Sequence, residues 1–287
     1  MSSSVGKAIR LGRILSGKQG RSACLAFDHG LHVGPIAGVG DLRAGIKHAV
    51  DAGFDGIILT PGAATRNVDL LAGRDKPSVV MRIDQTTMWR LGSFTGYAEG
   101  DVRAITSVEE AAAMGADAVL SYIFIAHKDP SLETRSAERA AETAMQARRF
   151  GLAYVAEPMV ARNGMLRSPF DPKAIAIHTR MAVEFGADIL KVDWPGSVKA
   201  CKEVLASCAG TPMLVAGGER GKSDEDTLRL VSDLLEGGAQ GIMFGRALFQ
   251  SPDPLKIMKI AREMIHDDLP LSQALKRLGP IPARKRA

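Results

Sequence analysis

Hydrophobic positions along this chain follow two periods that take turns. Eight short runs are almost unbroken in apolar character: Ala23–Phe27, Gly56–Leu59, Ser78–Ile83, Ala118–Phe124, Ala153–Glu157, Asp188–Val192, Met213–Ala216 and Gly241–Phe244. Runs of that length and texture predict strands buried on both faces, as in a parallel sheet. Between them the period becomes helical. Asp41–Ala52 puts Leu42, Ile46, Ala49 and Val50 on one face and stops at Gly53. Further helices are predicted over Val108–Met114, Ala137–Phe150, Asp171–Phe185 and Ser223–Leu235, three of them followed by a glycine stop and one opened by Asp171-Pro172 as cap and first residue. One junction recurs four times, as Ala52-Gly-Phe-Asp-Gly, Met114-Gly-Ala-Asp-Ala, Phe185-Gly-Ala-Asp-Ile and Gly238-Ala-Gln-Gly-Ile. It reads as a helix-to-strand turn repeated around a sheet.

Strict strand–helix alternation implies an α/β fold with a parallel sheet. About eight units favour closure into a single (β/α)8 barrel. The expected domain is one barrel over residues 1–287, with a short N-terminal lead and a basic C-terminal tail. No G-x-G-x-x-G follows the first strand, which argues against a dinucleotide-binding sheet. The polar, glycine- and threonine-rich stretch Asp84–Thr106 is expected to loop over the active face.

Composition narrows the function classes. The net charge of +5 comes from 37 basic and 32 acidic residues that are interspersed, and the dense basic run Pro282–Ala287 reads as a solvated end. With aromatics at 5%, stacking on nucleic acid is not expected. No run approaches the roughly 18 apolar residues of a membrane span, and the N-terminus lacks a signal-like apolar segment. A cytoplasmic protein with neither nucleic-acid nor membrane partners is the expectation. Cys24, Cys201 and Cys208 show no CxxC or metal-ligand spacing, Cys24 reads as a core thiol, and no His/carboxylate set suggests a metal.

In a (β/α)8 barrel the chemistry sits at the C-terminal ends of the strands. Lys191 is the lysine found there, inside the otherwise apolar Asp188-Ile-Leu-Lys-Val-Asp-Trp. An amine in a dry barrel mouth can attack a carbonyl carbon. The alternatives are a lysine reaching solvent, or one paired structurally with Asp28 or Asp193. Gly217 and Gly218 after the seventh strand, with Gly245 and Arg246 after the eighth, stand where barrels commonly bind phosphate. Asp28 and His29 follow the first strand and could handle protons. Glu157 and Arg162 end or follow the fifth, and Tyr122 lies on the fourth.

Together these segments resemble the archaeal-type class I branch of the DeoC/FbaB aldolase family. The likeness rests on Leu25-Ala-Phe-Asp-His-Gly30, Gly186-Ala-Asp-Ile-Leu-Lys-Val-Asp-Trp-Pro-Gly196, Pro212-Met-Leu-Val-Ala-Gly-Gly218 and Gly238-Ala-Gln-Gly-Ile-Met-Phe-Gly-Arg-Ala-Leu-Phe-Gln250. It implies Lys191 as the Schiff-base lysine and Asp28 as the aspartate that contacts substrate and helps proton transfer. It also implies Gly217, Gly218, Gly245 and Arg246 as a phosphate cradle, with Arg162 retained as a substrate contact. A phosphorylated ketose or related keto compound, no metal or organic cofactor, and a homo-oligomer, often a decamer in this family, follow from the same likeness. Thiolase- or transaldolase-type transfer on the same lysine is the alternative chemistry, and a non-catalytic phosphosugar-binding barrel the alternative class.

The family's Trp-x-Tyr-Pro-Arg-Gly after the fifth strand is replaced here by Pro158-Met-Val-Ala-Arg-Asn-Gly164, which sets Val160 at the acid/base tyrosine. Replacement candidates are His29, Glu157 and Tyr122. A positioned acid or base contributes about 10²–10⁴-fold. The sequence therefore predicts that fructose 1,6-bisphosphate is cleaved far below the roughly 10 s⁻¹ typical of enzymes, and that Val160→Tyr raises this rate. A coupled assay of triose phosphate release checks both, and efficient cleavage by the unaltered protein would refute the first.

Overall fold

In the computed structural model the alternating runs close on themselves. Residues 2–90, 95–97, 99–162, 164–217, 221 and 223–279 are described; Gly218 of the expected cradle and the basic tail from Pro282 lie outside them. The barrel strands are β1 (Ser22–Ala26), β2 (Gly56–Leu59), β3 (Ser78–Arg82), β4 (Ala118–Ile125), β5 (Ala153–Val160), β6 (Ile189–Asp193), β7 (Met213–Ala216) and β8 (Gly241–Phe244). Each pairs in parallel with the next, and β8 returns to β1 with Leu25 opposite Phe244. The protein is a (β/α)8 barrel.

Differences from the expected boundaries have local causes. β5 runs three residues past Glu157 because its ladder with β4 continues through Pro158 to the pair Ile125–Val160. The helix expected from Ala137 starts at Pro130, where Asp129 caps it by accepting from Ser131 N at 2.8 Å. The N-terminal lead is a helix, Ser2–Ile14. Within Asp84–Thr106, the short strands Asp84–Thr86 and Val102–Ala104 pair antiparallel, and Met88–Arg90 forms a 3-10 turn.

The repeated junction has a structural job. Its acidic or amide side chain accepts the first free amide of the preceding strand: Asp55 from Ala23 N at 2.7 Å, Asp117 from Val79 N at 3.3 Å, Asp188 from Tyr154 N at 2.9 Å, and Gln240 from Met213 N at 2.9 Å. Four side chains thus staple β1 to β2, β3 to β4, β5 to β6 and β7 to β8, satisfying donors that a strand start would leave buried. β6 begins at Ile189, one residue after the Asp188 that supplies the staple. The N-terminal helix docks on the same residues. Lys7 Nζ lies 3.0 Å from Asp188, Arg13 donates to Asp117 at 3.0 Å, and Ser16, just past the helix, donates to Asp55.

Side chains on each strand alternate between the barrel interior and the surrounding helices. Beneath its C-terminal mouth the interior is filled by Cys24, Ala26, Ile58, Val80, Ala118, Leu120, Ala153, Val155, Ile189, Leu214 and Met243, with Ala26 and Met243 reaching the cavity floor. Ile14 joins this inner cluster fully buried, with Leu11 and Leu15 against its edge, so the N-terminal helix plugs the bottom of the barrel. Cys24 lies among them, and burial pushes its thiol up to about 12. Truncating the plug, Ile14→Ala, should cost about 2–5 kcal/mol in urea unfolding, whereas Ile9→Ala on the exposed face of the same helix should stay within about 0.5 kcal/mol. Equal effects of the two would mean that the helix does not seal the barrel.

Candidate active site

Toward the C-terminal mouth the inward positions turn from apolar to charged, along the same alternation. Val80 gives way to Arg82, Leu120 to Tyr122, Val155 to Glu157, and Ile189 to Lys191 and Asp193. With Asp28 after β1 and Asp84 after β3, these side chains make a polar layer above the apolar one. Arg82, Asp84, Asp28, Tyr122, Glu157, Lys191 and Asp193 are all buried.

Arg82 organises that layer, and the sequence analysis did not single it out. Its side chain has no solvent exposure. Nε donates to Asp28 at 2.7 Å, Nη1 to Asp84 at 3.1 Å, and Nη2 to Glu157. The Tyr122 ring covers the guanidinium, 3.9 Å from Cζ to its centroid. A buried charge persists only when it is paired and hydrogen-bonded, and here three carboxylates share the task. Asp84 uses its other oxygen to accept from Tyr122 N at 2.9 Å. The Tyr122 hydroxyl accepts from Trp89 Nε1 at 3.1 Å and lies 3.1 Å from His32 Nε2, so that both rings are tied to the layer through it. The available signal was parity. Arg82 and Asp84 sit two apart in step with Val80, a charge pair on the buried face of a strand.

Lys191 Nζ lies 2.6 Å from Glu157 Oε1, with both side chains buried. Of the structural partners considered from sequence, Asp28 and Asp193, neither holds that ion pair; Asp28 is engaged by Arg82. Burial works to raise the Glu157 carboxyl, but Lys191 and Arg82 outweigh it and hold it below the usual range. Asp28 is held well below its usual value in the same way, burial being overcome by Arg82, His32 and Lys191. Burial pushes His29 down to about 4, so its imidazole is neutral at pH 7. Burial also raises Tyr122 well above the ordinary phenol range, so it stays protonated.

Lys191, Glu157, Asp28 and His29 open into one cavity of about 620 Å³, which Gly217, Gly245, Arg246 and Arg162 also line. A Cβ at Gly217 would lie 2.9 Å from Phe244 Cγ, and one at Gly245 2.2 Å from His29 Cε1. Packing alone therefore demands glycine at both, and Arg246 carries the charge of this corner. Across the cavity Arg162 stands 5.1 Å from the Trp89 and Phe170 ring centroids. The loop after β3 thus supplies part of the wall, through Met88 and Trp89.

Val160 corrects the sequence-based expectation. It points outward from β5, fully covered by Ile125 and Ala174 of the strand–helix layer. Its neighbour Met159 lines the cavity. A tyrosine at 160 would enter the outer layer, so Val160→Tyr is not expected to restore an acid/base group. Of the candidates for that role, Glu157 is the one in direct contact with the lysine.

Asp193 is the unusual carboxylate. It is 4% exposed, lines the cavity, and its Oδ2 finds no hydrogen-bond donor among the described residues. Burial raises its carboxyl to about 6, against the opposing pull of Arg162, Lys191 and Arg246. Also among the described residues, no three His, Cys, Asp or Glu side chains are grouped to hold a metal ion.

Comparisons with known proteins show the family. A sequence profile of the DeoC/LacD family of aldolases matches residues 22–251, so the chain belongs to that family. An uncharacterized aldolase of Saccharolobus solfataricus is 30% identical, over 95% of this chain and 98% of its own. The class 1 fructose-bisphosphate aldolase of Thermoproteus tenax is also 30% identical, over 90% and 94%. The structure of an archaeal fructose-1,6-bisphosphate aldolase, with its catalytic lysine covalently bound to the carbinolamine intermediate of the substrate, superposes with a TM-score of 0.79 at 28% identity, covering 91% of this chain and 99% of the other.

The raised Asp193 carboxyl has a consequence for stability. Its native form binds a proton more readily than in the unfolded chain, so stability falls as pH rises from about 4 through about 6. Asp193→Asn should therefore raise Tm by a few degrees at pH 8 and change it little near pH 4, read by scanning calorimetry against the parent at each pH. A lower Tm at pH 8 would contradict the assignment.

Proposed function

We propose that this protein is a class I aldolase that makes or breaks a carbon–carbon bond in a phosphorylated ketose through an imine on Lys191. The observation that carries the reading is the Lys191–Glu157 contact of 2.6 Å inside a lined cavity. Glu157 takes a proton from Nζ, and the neutral amine adds to the ketone carbon. Glu157 then returns the proton to the departing hydroxyl, so that water leaves and a protonated imine remains. A base next removes the proton of the hydroxyl two carbons from the imine. The carbon–carbon bond breaks, its electron pair flows to the imine nitrogen, and an aldehyde departs. The Asp28 carboxylate and the neutral His29 imidazole are the bases offered to that hydroxyl. Protonation of the enamine and hydrolysis release the ketone.

The phosphate is assigned to Gly217, Gly218, Gly245 and Arg246, with Arg162 as a second cation toward the substrate. Charge-assisted contacts of this kind fix an anion's position. The imine supplies the electron sink, so neither metal nor organic cofactor enters the scheme. A homo-oligomer is part of the same reading, supported by the exposed Met165, Leu166 and Ile177.

Borohydride reduction in the presence of dihydroxyacetone phosphate tests the reading. Intact mass should rise by one reduced adduct, peptide mapping should place it on Lys191, and Lys191→Met should lose it while the far-ultraviolet circular dichroism is unchanged. Adduct on a different lysine, or none at all, would defeat the proposal.

A further inference from the structure

Asp193 has no part in the imine scheme, yet its placement is unusual for a carboxylate. It stands two residues past Lys191 on β6, so both side chains face the same interior, roughly 6.6 Å apart along the strand. It lines the cavity, is all but buried, and one oxygen goes without a donor among the described residues. A buried acceptor left without a donor costs about 1–3 kcal/mol. Such a cost is characteristic of groups whose partner arrives with a ligand.

The surroundings say what that partner is. Arg162, Lys191 and Arg246 act on Asp193 as cations and Glu157 as an anion. A substrate ammonium would meet three positive charges in the cavity, and a substrate anion would meet the carboxylate itself. A neutral O–H donor fits both constraints. We propose that Asp193 Oδ2 accepts a hydrogen bond from a substrate hydroxyl on the carbon next to the imine carbon, and so makes the enzyme selective for hydroxyketone phosphates over their deoxy analogues. This rests on imine formation at Lys191. The carboxyl's raised affinity for protons accords with an oxygen that lacks a donor among the described residues.

Dihydroxyacetone phosphate and hydroxyacetone phosphate differ by that one hydroxyl, and both can form the imine. The test measures half-saturation concentrations for borohydride-trapped adduct on the full-length protein with each probe. The unaltered protein should favour the hydroxylated probe on the order of 10- to 100-fold, the range of a hydrogen bond to a charged group. Asp193→Ala should bring the ratio near one while hydroxyacetone phosphate is still trapped, which shows that the pocket remains folded and reactive. Asp193→Asn, which keeps an oxygen in place, should retain part of the preference. A carboxylate that only balanced Arg162 and Arg246 would shift both probes alike and leave the ratio unchanged, which overturns the proposal. So does a parent protein that traps both probes equally well. No adduct with either probe would instead overturn the imine reading together with this one.

Discussion

A guanidinium shut away from water must be surrounded by acceptors, and around Arg82 those acceptors are the side chains that define the site. Asp28 arrives from the end of β1, Asp84 from just past β3, and Glu157 from β5, and each accepts a hydrogen bond from the same planar fork. The fork sets angles as well as charges. Because Glu157 is held by Arg82 through Oε2, its Oε1 is left directed at Lys191. Removing the guanidinium would leave three carboxylates crowded in a dry space, and breaking a buried ion pair commonly costs about 3–5 kcal/mol. Arg82 touches none of the reacting atoms in the proposed chemistry, yet the geometry of those that do depends on it.

The barrel separates stability from chemistry along its axis. At the bottom, small and branched apolar side chains fill the interior and Ile14 seals it, while four acidic or amide side chains tie neighbouring strands. At the top the same strands present charges. Lys191 and Asp193 therefore rest on Ile189, and Glu157 rests on Val155, so each reactive group stands on a close-packed floor that limits its movement. The cost of the upper layer is visible at Asp193, whose carboxyl is held in its charged form at neutral pH without a full set of donors. Such local instability in an otherwise well-satisfied fold is what a ligand-receiving group looks like before the ligand arrives.

The division between what sequence and tertiary structure each decide is clear here. Eight strands, their order, the closed barrel and the place of Lys191 were all legible in the chain, because buried parallel strands leave unbroken apolar runs and a lone lysine within one stands out. The repeated Gly-Ala-Asp junction was legible as architecture, although its role in capping the preceding strand needed the fold. Asp28, His29, Arg246 and Arg162 line the cavity, at the end of the barrel to which their strand positions assign them. What the sequence could not decide was which of these groups meet. Glu157 and Lys191 are 34 residues apart, and Arg82 and Glu157 are 75 apart; only closure of the sheet brings them into contact. The inward or outward sense of Val160 likewise depended on β5 continuing through Pro158, a matter of pairing with β4 rather than of local composition. Side-chain alternation makes a one-residue difference decisive, and the register that resolves it is a property of the closed barrel.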